Sequence, residues 1–124
     1  MKTQTFPVRL DVEFTNDDID LNIMGSGCFT WEWYYNVTVM SSQGFVGIMA
    51  ANPKEEGSIE KTITYDHIRR VMGNMLADAY PKPDYYAYAK RIIMEGIRTG
   101  DWDFDSDSAD QVMQVAMFGE VVYS

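Results

Sequence analysis

At Tyr65 the spacing of apolar residues along the chain changes. Before it they recur mostly at every second position, and after it at every third or fourth. A period of two suits half-buried strands and a period near 3.6 suits amphipathic helices, so strands come first and helices afterwards. That order predicts an α+β fold in which about three α-helices pack on one face of an antiparallel meander. The 124 residues, 46% of them hydrophobic, suffice for one ordinary core, and residues 1–124 read as a single domain.

Phe6, Val8, Leu10, Val12 and Phe14 alternate with Pro7, Arg9, Asp11 and Glu13, which predicts a first strand whose Pro7 belongs at an edge. Asn16 to Asp20 offers a cap and acids for a short helix ending near Gly25, although Ile19, Leu21 and Ile23 also alternate as in a strand. The aromatic and β-branched run from Cys28 to Met40 predicts one long strand. Gln43-Gly44 turns it into a strand at Phe45–Ala51, and a further strand at Ile59–Thr64 follows the polar loop 52–57.

Ile68, Val71, Met72, Met75, Leu76 and Ala79 share one face of a helix capped by Thr64 or Asp66 and stopped by Pro81. A second helix follows Asp84, with Tyr85, Tyr88, Ala89, Ile92, Ile93, Gly96 and Ile97 inward and Gly100 at its end. A third begins near Ser106 or Ser108, where Ser108 and Gln111 form a capping box, and it buries Val112, Met113, Ala116 and Met117. Gly119 closes it in a left-handed conformation, Phe118 beside it is expected in the core, and Val121 to Tyr123 can add to the sheet.

Ten basic residues against nineteen acidic ones give a formal charge of −9, which repels nucleic acid and anionic lipid. Such a field either keeps the protein soluble or steers it onto a basic partner, including one that normally holds nucleic acid. The amino terminus lacks the apolar run of a signal peptide, and no segment reaches the roughly 18 apolar residues of a membrane span. Cys28 is the only cysteine and closes no internal disulfide; together these features point to the cytoplasm.

Asp101, Asp103, Asp105 and Asp107 alternate with Trp102, Phe104 and Ser106 in the manner of a calcium loop. The sixth position is Ser106 where glycine is needed, and the twelfth is Val112 where a bidentate glutamate is needed, so no metal is implied. Two readings remain for this row: an acidic partner-binding ridge completed by Asp110, or a helix start in which Asp105 and Asp107 complement the dipole while Trp102 and Phe104 pack inward. Arg69, Arg70, Lys90 and Arg91, with Tyr85 and Tyr86 nearby, form an alternative site in which cations hold phosphate and a ring stacks on a base. The competing reading is solvated helix faces paired with Asp78 and Glu95. Cys28 and His67 are the residue types of a nucleophile and base, but no motif surrounds either. Zinc spacing, serine triads and phosphate or dinucleotide loops are absent, and no cofactor or catalytic residue is assigned.

The ending Ala109-Asp110, Gln114, Phe118-Gly119-Glu120 and Tyr123 resembles that of a family of small, uncharacterised phage and prophage proteins. Asn16-Asp17-Asp18-Ile19 and Gly25-Ser26-Gly27, leading to Phe29 and Trp31, are similar to the family's acidic stretch, glycine pair and aromatic-tryptophan step; Gly25-Ser26-Gly27 and the terminal Ser124 depart from its pattern. The resemblance implies a phage setting, in which a small acidic protein without catalytic motifs acts on host machinery. The leading expectation is therefore a non-enzymatic accessory protein of anti-restriction or anti-CRISPR type, in the host cytoplasm, that inhibits or modulates a host protein such as a nucleic-acid-binding defence factor through its acidic surface. Nucleotide sequestration is the alternative, a Cys28/His67 enzyme the third reading, and self-association is left open.

Overall fold

The computed structural model describes residues 11–123. Among these residues a three-stranded antiparallel sheet and four α-helices make an α+β fold, the expected class, with one helix more than the expected three because a short helix precedes the sheet. The strands β1 (Tyr34–Met40), β2 (Phe45–Ala51) and β3 (Ser58–Thr64) lie in the order β1-β2-β3. Along β2 the buried residues are Val46, Ile48 and Ala50, the alternation of a sheet with one face in the core. The expected first strand falls partly outside the described residues, and 11–15 belong to neither strand nor helix. Phe14 nevertheless enters the core, edge-on to Trp102 with ring centroids 4.8 Å apart.

The ambiguous segment after it is helix α1 (Asn16–Asn22), capped one residue earlier than expected. Thr15 Oγ1 accepts from the Asp18 amide and the Asp18 carboxylate accepts from the Thr15 amide, a reciprocal pair that settles a short sequence as helix. The long strand expected from Cys28 to Met40 needs correction, because Cys28–Thr30 is a single tight helical turn and only the second half is strand. Gly27 enters that turn at φ 86°, bending the chain so that Cys28 is buried. A bulge at Tyr35 then places two residues of β1 against one of β2, between the pairs Tyr34–Ala50 and Asn36–Met49.

Helix α2 (Tyr65–Leu76) takes Thr64 as its cap, buries Ile68, Val71, Met72 and Met75, and stops well before Pro81. Helix α3 (Ala87–Thr99) ends at Gly100 and α4 (Ser106–Phe118) at Gly119, with φ of 81° and 77°, as expected of both glycines. The cap of α4 differs from expectation: Asp105 and Ser108 form the box, and Gln111 instead accepts from the Ala89 amide on α3 at 2.9 Å. Residues 108–110 and 112–117 of α4 are buried, with Gln111 half-buried between them, because α2, α3, the Cys28–Thr30 turn and β3 surround the helix. Lys61 of β3 closes its far end by donating to the Met117 carbonyl, a cation at the negative pole of the helix.

Candidate functional site

Asp110, expected on an acidic ridge, is buried near the start of α4. Its helix turns it away from the exposed row and toward the start of β1, where Oδ1 accepts from Nε1 of Trp33, just before the strand, at 3.1 Å and from Tyr34 OH at 2.7 Å. Oδ2 accepts from Gln114 Nε2 at 2.7 Å. All these donors are neutral, and no ion pair to Asp110 occurs among the described residues. Burial pushes its carboxyl above the usual carboxylate range, opposed by the three donors that favour the charged form. The same contact and burial push the Tyr34 phenol upward.

Gln114 is the second member of the network and carries the C-terminal tail. Its Oε1 accepts from the amides of Val122 at 2.9 Å and Tyr123 at 2.8 Å, and its Nε2 also donates to the Tyr123 carbonyl at 2.8 Å. The tail consequently does not add to the sheet as expected, since its backbone groups are taken by a helix side chain. Tyr123 then lies against Trp33 with centroids 5.4 Å apart, and Trp33 stacks on Trp31 at 5.1 Å with planes only 4° apart. Phe29 meets Tyr34 edge-on, and Phe118 meets Tyr123 likewise. Phe118 is half-buried, packed against the core and this ring at the end of α4, and is not enclosed as expected. Residues 29–34 and the C-terminal tail, far apart in the sequence, thus converge on one aromatic cluster.

Above the cluster opens a cleft of about 720 Å³. Trp31, Trp33 and Tyr123 form one wall, Tyr85 and Tyr88 another, and Asp107 and Asp110 supply carboxylates, while no lysine or arginine lines it. Flat aromatic faces with carboxylates and without cations suit an organic cation and repel phosphate.

The acidic row itself splits. Along 101–107 the aspartates are exposed while Trp102 and Phe104 are half-buried against the core, so inward packing of the aromatics and outward carboxylates occur together. Asp105 is occupied as the cap of α4 and accepts from Tyr88 OH. Desolvation would raise its carboxyl, but the Ser108 amide, the Tyr88 hydroxyl and the Ser108 hydroxyl outweigh it and hold it below the usual range. Asp107 belongs both to the row and to the rim of the cleft. Among the described residues no three of His, Cys, Asp and Glu are grouped to hold a metal ion.

The residues of the alternative cationic site each have other neighbours. Arg69 pins the segment before α1 by donating to the Phe14 carbonyl and Asn16 Oδ1, and it pairs with Asp66. Arg70 lies beside His67, Lys90 pairs with Asp78 at 2.8 Å, and Arg91 sits over the Tyr88 ring at 5.1 Å. Tyr86, expected to face a ligand, is fully buried, while Tyr85, expected inward, is exposed beneath Lys82. The four residues Pro83–Tyr86 form a tighter helical turn before α3, which exchanges these two, while Ala89, Ile93 and Gly96 of α3 itself are buried as expected. Cys28 and His67 make no hydrogen bond to each other: the thiol donates to the Ile23 carbonyl, and burial pushes it up to about 12.

Trp31, Trp33, Gln114 and Tyr123 were not singled out as site residues by pattern. The available signal was the spacing of Asp110 and Gln114, one helical turn apart on the same face as Met113 and Met117. Comparison with known protein families, curated proteins and solved structures returns no match. No helix among the described residues is long and apolar enough to cross a membrane.

Proposed function

We propose that this is a non-catalytic binding protein that engages a basic surface of a partner protein through Asp101, Asp103 and Asp107 and the aromatic cleft that Asp107 lines. The observation that carries this is the alternation at 101–107, where half-buried Trp102 and Phe104 fix the backbone so that neighbouring carboxylates face solvent. Side chains held in register by their neighbours lose less freedom on binding than a free acidic tail would. The net charge of −9 adds long-range attraction toward a basic partner. The resemblance to phage accessory proteins supports a host protein as that partner, a nucleic-acid-binding defence factor of the restriction or CRISPR kind.

The test is affinity isolation from host lysate with wild type and with a variant carrying Asp101→Asn, Asp103→Asn and Asp107→Asn, followed by association kinetics on the recovered partner over a salt series. The variant is expected to fold normally and to associate at least about tenfold more slowly, with a weaker salt dependence. A partner bound equally by both proteins at every salt concentration overturns the proposal.

A further inference from the structure

The stack of Trp31 on Trp33 on Tyr123 ends in an uncovered face. Trp33 is buried between its neighbours, whereas Trp31 is 36% exposed and meets no ring but Trp33 among the described residues. This indole face borders the cleft, so a group that lies on it also meets the cleft's charge. Two carboxylates line that space and no lysine or arginine lines it. Asp110 is held from below by Trp33, Tyr34 and Gln114, so both its oxygens are occupied and it contributes field rather than a contact. Asp107 at the rim is exposed and has room to accept directly. The protein's own cations show the same affinity at the opposite wall, where Arg91 lies over Tyr88 and Lys82 over Tyr85.

We infer that the cleft receives an arginine side chain of the partner protein, its guanidinium lying flat on Trp31 and donating to Asp107. Arginine fits better than lysine because a planar cation stacks on an indole and presents paired donors to a carboxylate, whereas an ammonium is a compact, strongly hydrated point charge. This assignment rests on the proposal that the partner surface is basic, and it names the anchor within that surface.

The protein supplies its own reporters, with Trp31 and Trp33 in the cleft and Trp102 in a separate groove between α2 and α3. The probes are a short uncharged peptide with one central arginine and the same peptide with lysine or citrulline there, citrulline being the neutral isostere of arginine. Titration is followed by the indole N–H signals of the intact protein in NMR. The arginine peptide is expected to shift the Trp31 and Trp33 signals while leaving Trp102 unmoved, and the citrulline peptide to bind at least about tenfold more weakly. Trp31→Ala and Asp107→Asn are each expected to weaken arginine binding by about tenfold at a temperature where both variants stay folded, as a native Trp102 signal shows. Equal binding of the citrulline peptide, equal shifts at Trp102, or no effect of Trp31→Ala overturns the assignment. Asp101→Asn with Asp103→Asn separates the two proposals, since this pair must slow partner association yet leave the peptide titration unchanged. A peptide that fails to bind while partner association keeps its dependence on these aspartates removes the arginine site alone. One that binds while partner association ignores them removes the ridge alone.

Discussion

Gln114 Nε2 donates to Asp110 Oδ2 at 2.7 Å, joining two buried polar side chains one turn apart on α4. Through Asp110 this contact reaches β1, and through the other bonds of Gln114 it reaches the C-terminal tail. A single amide therefore couples three parts of the chain that are far apart in sequence. Every buried polar side-chain atom among the described residues has a partner, so the network has no slack.

Replacing Gln114 by leucine keeps the bulk but strands the Val122 and Tyr123 amides and one oxygen of Asp110. Each stranded buried group costs about 1–3 kcal/mol, and release of the tail to water limits the sum, so a loss of about 2–4 kcal/mol is expected in urea denaturation. Gln114→Glu should be worse, because it sets a second carboxylate against Asp110. A leucine variant within about 0.5 kcal/mol of wild type would show that the tail is not held by this residue.

Asp110 and Asp105 should give opposite pH signatures. Burial raises the folded-state value of Asp110, so its contribution is fully present below the ordinary carboxylate value of about 3.9 and is lost as pH rises through the folded value. Asp105 is lowered by its donors, so its contribution is present above about 3.9 and is lost as pH falls through the folded value. Asp110→Asn should therefore cost more stability at pH 3 than at pH 7, and Asp105→Asn more at pH 7 than at pH 3. Melting of both variants and wild type over that range checks the two slopes.

Gly96→Ala should destabilise α3 despite the higher helix propensity of alanine. An added Cβ would lie 2.1 Å from Cε3 of Trp102, whose ring is held edge-on against Phe14. Overpacking of this kind costs about 1–3 kcal/mol, which outweighs the gain of about 1 kcal/mol from replacing a helical glycine. A raised melting temperature for this variant would mean that the Trp102 ring moves aside freely.

Cys28 should resist thiol reagents in the native state. With its thiol buried and pushed up to about 12, only about one molecule in ten thousand carries the thiolate at pH 8. Labelling in native buffer is expected to follow the rate at which the protein opens, and to become fast in urea. Rapid native labelling would place the sulfur at the surface.

What the sequence determined by itself is the part governed by local physics. The change of period at Tyr65, the Thr64 cap and the left-handed glycines Gly100 and Gly119 are properties of a few adjacent residues, and they define β2, β3 and the helices α2, α3 and α4. Ile68, Val71, Met72 and Met75 are buried as their spacing required. Where local preference was divided, tertiary contact decided. Cys28 to Thr30 has the composition of a strand but turns, because Gly27 bends the chain and the turn packs on α4. The aspartates from 101 to 110 are alike in sequence, yet the extended segment before α4 turns Asp101 and Asp103 to solvent, whereas the helix carries Asp110 inside to Trp33 and Tyr34. The cleft belongs wholly to the second category, since Trp31, Tyr88, Asp107 and Tyr123 become neighbours only once α4 is enclosed and the tail is bonded to Gln114. No local pattern encodes that meeting, because its energy comes from burying groups that lie tens of residues apart in the chain.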